Sequence, residues 1–255
     1  ALTHADRTDR LVFVHGFDVP VSGAPRLSRA VIERLDRAAA DLGRPLVRVA
    51  TNLHEYSDAA RARWGTHYHG AALAAVAHGL GAGPGRLLVG ATHSYTDQFP
   101  WGSHPLLDPH WSSASVTLEH VGAEADRVDK VEVLADSAPA MAHLRVCWQN
   151  PDEAYNCGRC AKCVRTMVAL RIVGALERCA TLPHEIDLAA VEALPIPNRN
   201  ILARQAELIT HLRRRGDDPE LLAACEANLR TVGPAGVDWG TGWTAVVPDL
   251  LDGGR

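Results

Sequence analysis

LVFVHGF, residues 11–17, is a short apolar run that ends on His-Gly. A run of this length closed by glycine reads as a buried strand entering a turn. From Pro25 to Leu42 the apolar residues recur at helical spacing (Leu27, Ala30, Val31, Leu35, Ala38, Ala39, Leu42), and Gly43 follows as a stop. PLVRVATN (45–52) is a second strand, a helix is predicted over about 68–80, GAGPG (81–85) breaks it, and RLLVGAT (86–92) is a third strand. Strands alternating with helices predict an α/β fold with a parallel, doubly wound sheet.

From His93 to Glu119 this alternation lapses. HSYTDQFPWGSHPLLDPHWSS (93–113) is long, irregular and rich in Pro, Ser, His and Trp. Ligands of parallel sheets bind at the carboxyl ends of the strands, so a long insertion after a strand is a candidate site wall; the alternative is a self-packed surface loop. Farther on, DKVEVLAD (129–136) starts a helix, LRVCW (144–148) reads as a short strand, and Cys160–Arg178 has the periodicity of a long helix. Helices with polar faces are predicted near 186–193, 199–215 and 218–230, and the last twenty-odd residues read as irregular. These patterns divide the chain into an α/β domain over 1–178 and a helical extension over 179–255.

Composition limits the function. The chain has 255 residues, 47% of them hydrophobic and 22% charged, with a formal net charge of -4. A negative total argues against a dedicated nucleic-acid binder. No apolar run approaches the length of a membrane span. The opening ALTHADRTDR lacks the apolar core of a signal peptide, so a cytoplasmic address is expected.

Four of the six cysteines follow the spacing C-x9-C-x2-C-x2-C: Cys147, Cys157, Cys160 and Cys163. Two C-x2-C turns present thiolates to one tetrahedral ion, and a following helix N-terminus favours their charge. Structural zinc is the leading reading, since four protein ligands leave no open position; an iron–sulfur cluster or a redox pair are the alternatives. Cys179 and Cys225 read as cysteines without a metal role.

The order VGATHSYTD, long loop, DRVDKVEVLA, LRVCW, NCGRCAKCVRT resembles the 7-cyano-7-deazaguanine synthase family, a branch of the PP-loop N-type ATP pyrophosphatases. The resemblance spans residues 8–178, and the cysteines with trailing Arg165 are its most specific part. It implies an adenine-nucleotide α-hydrolase-like fold with a four-cysteine zinc knuckle. It also implies ATP and magnesium as cofactors, a small-molecule substrate activated on a carboxylate or amide by adenylylation, and a nitrogen donor that displaces AMP. Lys130 matches the family's Lys-x-Glu helix start and would meet phosphate; it and Lys162 are the chain's two lysines. His15, Gly16, Phe17 and Asp18 would line the adenine or ribose. Gly90, Thr92, His93 and Ser94 would face phosphates or substrate, with His93 a catalytic candidate. Asp108 matches an acidic substrate-reading position, and Arg165 would reach a phosphate or cap a loop. His104 and His110 are candidate bases, and the loop carrying His54, Glu55, Trp64, His67 and His69 a pocket wall.

Two departures stand out. FPWGSHPLLDPHWSS (99–113) differs from the family's substrate loop, and the Ser-Gly-Gly-x-Asp-Ser loop is absent, only ten residues preceding LVFVHGF. The simplest reading is an N-terminally truncated form of a longer ATP-dependent enzyme that lacks a central strand. The alternatives are a non-catalytic zinc protein that binds nucleotide or substrate, and a zinc-stapled interaction module. A homo-oligomer is compatible with the helical tail.

Overall fold

The computed structural model describes residues 2–81, 85–232, 237–238 and 244–245. The chain forms two compact units, residues 3–126 and 127–255. The sequence-derived boundary at 178/179 falls inside the second unit, where the cysteine segment and the C-terminal helices share one core.

The first unit holds β1 (Leu11–His15), α1 (Pro25–Asp41), β2 (Leu46–Ala50), α2 (Leu53–Ala59), α3 (His69–Gly79), β3 (Gly85–Gly90) and β4 (Val116–Val121). β1 pairs with β2 in parallel, Leu11 opposite Leu46, and β3 pairs with β4 in parallel, Gly85 opposite Val116. The α/β class and the parallel pairing are seen as two two-stranded ladders, and no described strand joins β1 to β3 in one doubly wound sheet. α1 begins on a proline at its first position and buries Leu27, Val31 and Ala39, the stripe predicted from the spacing. β4 begins inside the stretch read as irregular, which ends at Glu119. Its period is two: Val116 and Leu118 are buried and Thr117 is exposed between them. With Ala74 of α3 these two make a small core cluster, flanked by Ala77 and Leu87.

The second unit contains α4 (Arg127–Ala135), α5 (Ala138–His143), α6 (Ala161–Ile172), α7 (Leu188–Glu192), α8 (Arg199–Arg215) and α9 (Pro219–Arg230), followed by the two-residue antiparallel pair β5 (Val237–Asp238) and β6 (Thr244–Ala245). α6 is the centre of this unit. Every residue from Cys163 to Leu170 is buried, so the helix is enclosed on all sides rather than amphipathic. It stops at Ile172, short of the predicted 178, because Gly174 turns into the left-handed region at φ 67° and the Ala175 N–H reaches back to Leu170 O. α8 and α9 carry side-chain N-caps, Asn198 to the Ile201 N–H and Asp218 to the Leu221 N–H, and Gly216 closes α8 at φ 70°. Leu170, Ile209, Leu221 and Leu229 are among the largest fully buried side chains.

LRVCW (144–148) is not a strand. Its backbone groups are bonded by side chains instead. Asn156 Oδ1 accepts the N–H groups of Val146 and Cys147 at 2.9 and 3.0 Å, while its Nδ2 donates to Leu144 O.

Truncating Leu170 leaves a cavity in the centre of the second unit that the surrounding helices cannot close. Leu170→Ala is expected to lower the stability of this unit by about 2–5 kcal/mol, read from the helical signal in urea unfolding.

Candidate functional site

The four cysteines converge. Asn150, Asp152 and Glu153 take positive φ in the turn after Cys147, which folds the chain back toward Cys157. Asn156 then ties 144–147 to its own segment and, through Nδ2, to Thr181 O at 3.2 Å. Gly158 has φ 69°, and a Cβ there would stand 2.6 Å from Pro183 Cγ, so the first C-x2-C turn has room for glycine alone. Cys160 is the N-cap of α6 and Cys163 lies in its first turn.

The resulting Sγ–Sγ distances are 3.5 Å for Cys147–Cys157, 3.8 Å for Cys147–Cys160 and 3.9 Å for Cys157–Cys163. All four ligand atoms lie within 4.8 Å of one another, and none is in a disulfide. Four sulfurs at the zinc–thiolate distance of ~2.3 Å from one centre have edges of ~3.8 Å, so the donor set fits a tetrahedral divalent ion. Main-chain N–H groups point at the sulfurs: Asn150 to Cys147 at 3.3 Å, Cys160 to Cys157 at 3.2 Å and Cys163 to Cys160 at 3.4 Å. These donors favour thiolate, and burial opposes it. Burial raises the Cys147 thiol, but the N–H groups of Asn150 and Cys157 outweigh it and bring the group down to about 7. Burial wins at Cys160 and Cys163, whose thiols are pushed up. A cation among the four sulfurs is what would make four thiolates at this spacing tenable together, three of them buried. Cys179 and Cys225 are fully buried and outside this cluster.

The other residues singled out in the sequence fall into two groups. Lys130 and Arg165 belong to the second unit. Lys130 is half-buried on α4, and the first N–H groups of that helix, those of Arg127 and Val128, bond Glu207 Oε1 at 2.8 and 3.0 Å. The anion at this helix start is therefore the chain's own carboxylate. Arg165 is 9% exposed and donates from Nη2 to Pro195 O at 2.7 Å, the loop-capping role; burial without an acidic neighbour lowers its guanidinium to about 10.

The remaining residues lie in the first unit, at the carboxyl ends of β1 and β3. Gly16 has φ 109°, and a Cβ there would overlap Thr51 O at 1.7 Å. His15 Nε2 bonds Pro20 O at 2.9 Å, Phe17 O bonds His54 Nδ1 at 2.9 Å, and Asp18 is exposed. After β3, exposed Gly90 and half-buried Thr92 lead to buried His93, whose Nδ1 is 3.5 Å from Asp97 Oδ2. Ser94 Oγ contacts Thr96 Oγ1 at 2.9 Å. A chain of rings joins the two strand ends: Phe17 to Trp64 at 4.8 Å, Trp64 to His69 at 6.3 Å, His69 to Trp101 at 5.8 Å and Trp101 to His93 at 5.6 Å. His54 stacks on Trp64 at 4.1 Å.

Asp108 is 1% exposed and its carboxylate is engaged by its own chain. Oδ2 accepts Ser103 Oγ at 2.6 Å and His120 Nδ1 at 2.7 Å, and Oδ1 accepts the His104 N–H at 3.1 Å. Burial pushes this carboxyl up, yet the three donors outweigh it and hold it below the ordinary value. His120, on β4, was not singled out in the sequence, because the strand that carries it begins inside the irregular stretch. The alternation VTLEHV (116–121) is the signal that reveals it.

No family model matches the chain, and neither a curated protein nor a solved structure was found to be similar to it. Among the described residues no helix is long and apolar enough to cross a membrane.

Because the folded pKa of Asp108 is depressed, its contribution to stability is present above the unfolded value of ~4 and is lost as pH falls through the folded value. Asp108→Asn is expected to cost the first unit about 2–3 kcal/mol at pH 7. The cost should shrink below pH 4 in urea unfolding monitored by tryptophan emission.

Proposed function

We propose that the chain is a zinc-stapled protein of the PP-loop type, acting as part of an ATP-dependent carbon–nitrogen ligase. In this reading ATP with magnesium adenylylates a carboxylate or amide oxygen of a small molecule, pyrophosphate leaves, and a nitrogen donor displaces AMP. The demand on the protein is positioning and charge neutralisation. The zinc is structural, since four thiolates complete its coordination. The observation that carries the reading is the convergence of Cys147, Cys157, Cys160 and Cys163, the last three within NCGRCAKCVRT, the most specific part of the resemblance. The parallel pairs β1–β2 and β3–β4 are the pairing that a doubly wound sheet uses.

Within this reading the nucleotide lies at the carboxyl ends of β1 and β3, against the Gly16 turn and Gly90–Ser94. A reduced tetrathiolate suits a cytoplasmic address. One observation favours a second reading, a zinc protein that binds nucleotide or substrate without turnover: Glu207 already occupies the N–H groups at the start of α4, beside Lys130.

Metal analysis of the purified protein is expected to give one zinc per chain. Calorimetry with ATP and Mg²⁺ should then show binding that Lys130→Ala weakens at least ~10-fold, the loss of one charge-assisted phosphate contact. Equal affinity in the variant removes Lys130 from the site, and no binding by the zinc-loaded parent rejects the ATP reading.

A further inference from the structure

Arg145 and Arg165 of the second unit have no carboxylate partner among the described residues. Arg171, Arg213, Arg215 and Arg230 of the same unit pair with Asp218, Glu226, Asp217 and Glu226. Arg145 donates from Nη2 to Asn150 Oδ1 at 3.0 Å, and Arg165 donates to Pro195 O. The Nε of each is buried and has no hydrogen-bond partner. A buried guanidinium without an anion is costly, and so is a buried anion without a cation.

The cysteine cluster of the second unit, once loaded with metal, would be the matching anion. A divalent ion held by four thiolates carries a net charge of −2, and three of the four cysteines, Cys147, Cys160 and Cys163, are buried. Both arginines lie near ligands along the chain: Arg145 two residues before Cys147, and Arg165 on α6, the helix whose N-cap is Cys160. Arg145 is also joined to the cluster through one residue: Asn150 accepts from Arg145 with its side chain and donates its N–H to Cys147 Sγ. Arg159 and Lys162 lie within the cysteine turns but are exposed, where water screens their charge.

We infer that Arg145 and Arg165 are the counter-charges of the metal centre, two guanidinium groups set against the −2 of a divalent tetrathiolate. This rests on the metal reading above and adds to it the residues that make a dianionic centre tenable in the interior. They are positioning residues, since neither binds the ion.

The test is zinc affinity by chelator competition on the parent chain and on Arg145→Met, Arg165→Met, Arg145→Lys, Arg165→Lys and Arg159→Met. Each of the first two is expected to weaken zinc about 10-fold or more, the scale of outer-layer effects on metal sites. The lysine variants should recover most of the loss, and Arg159→Met should lose nothing. The cobalt-loaded proteins should keep the parent's thiolate charge-transfer bands, which a merely structural role would shift along with affinity. Unchanged zinc affinity in both methionine variants overturns the inference, as do lysine variants no better than methionine. Pyrophosphate binding that is lost in Arg165→Met while zinc affinity holds would assign that guanidinium to a ligand anion instead. If Arg165→Met does not fold, Arg145→Met, at a half-buried position, carries the test. No zinc bound by the parent chain is a separate outcome, which fails the metal reading itself.

Discussion

Four sulfur atoms brought within 4.8 Å of one another are the constraint around which the second unit is organised. Thiols packed this closely gain little from one another, and thiolates repel. The geometry makes sense with a cation at its centre. Everything nearby serves that convergence: left-handed backbone at Asn150, Asp152 and Glu153, a glycine pressed against Pro183, and amide N–H groups turned onto sulfur. α6 starts at the cluster and runs into the middle of the core, so the cysteine cluster fixes the end of the helix on which α4, α7 and α8 pack.

The first unit is built on different terms. Its strands are paired two by two, and all five residues of β1 are only half-buried, whereas strands of a parallel sheet are ordinarily covered on both faces. What links the ends of the two ladders is a run of aromatic and imidazole rings together with the Asp108 network. Ring contacts of this kind add about 0.5–1.5 kcal/mol each beyond the area they bury. The loop of 93–113, read as a site wall, is also a structural brace: Asp108 joins Ser103 and His104 in the loop to His120 on the following strand.

Where local pattern decides the structure, the sequence was readable. α8 occupies the predicted 199–215, and α1, β2 and α3 fall within a residue or two of expectation, because their spacing and caps are local. β4 was missed because just two inward residues, Val116 and Leu118, mark it amid polar neighbours. LRVCW was misread because its apolar residues serve the cysteine cluster rather than a sheet, and its hydrogen bonds go to an amide nine to twelve residues away. The cysteine ligands were legible from spacing alone. The side chain that holds their segment in place was not: Asn156 acts through partners that no local pattern connects.

Asn156 shows what such a dependence entails. One planar amide accepts from two main-chain N–H groups with its oxygen and donates to Leu144 O and Thr181 O with its nitrogen. Its shape is nearly that of aspartate; its pattern of donors is not. Deamidation would exchange one nitrogen for oxygen, leave the volume unchanged, and set a negative charge against two carbonyl oxygens beside four thiolates. The cysteine knuckle is therefore exposed to chemical ageing at a residue outside its four sulfur ligands, through a change that neither a redox assay nor a count of free thiols would register.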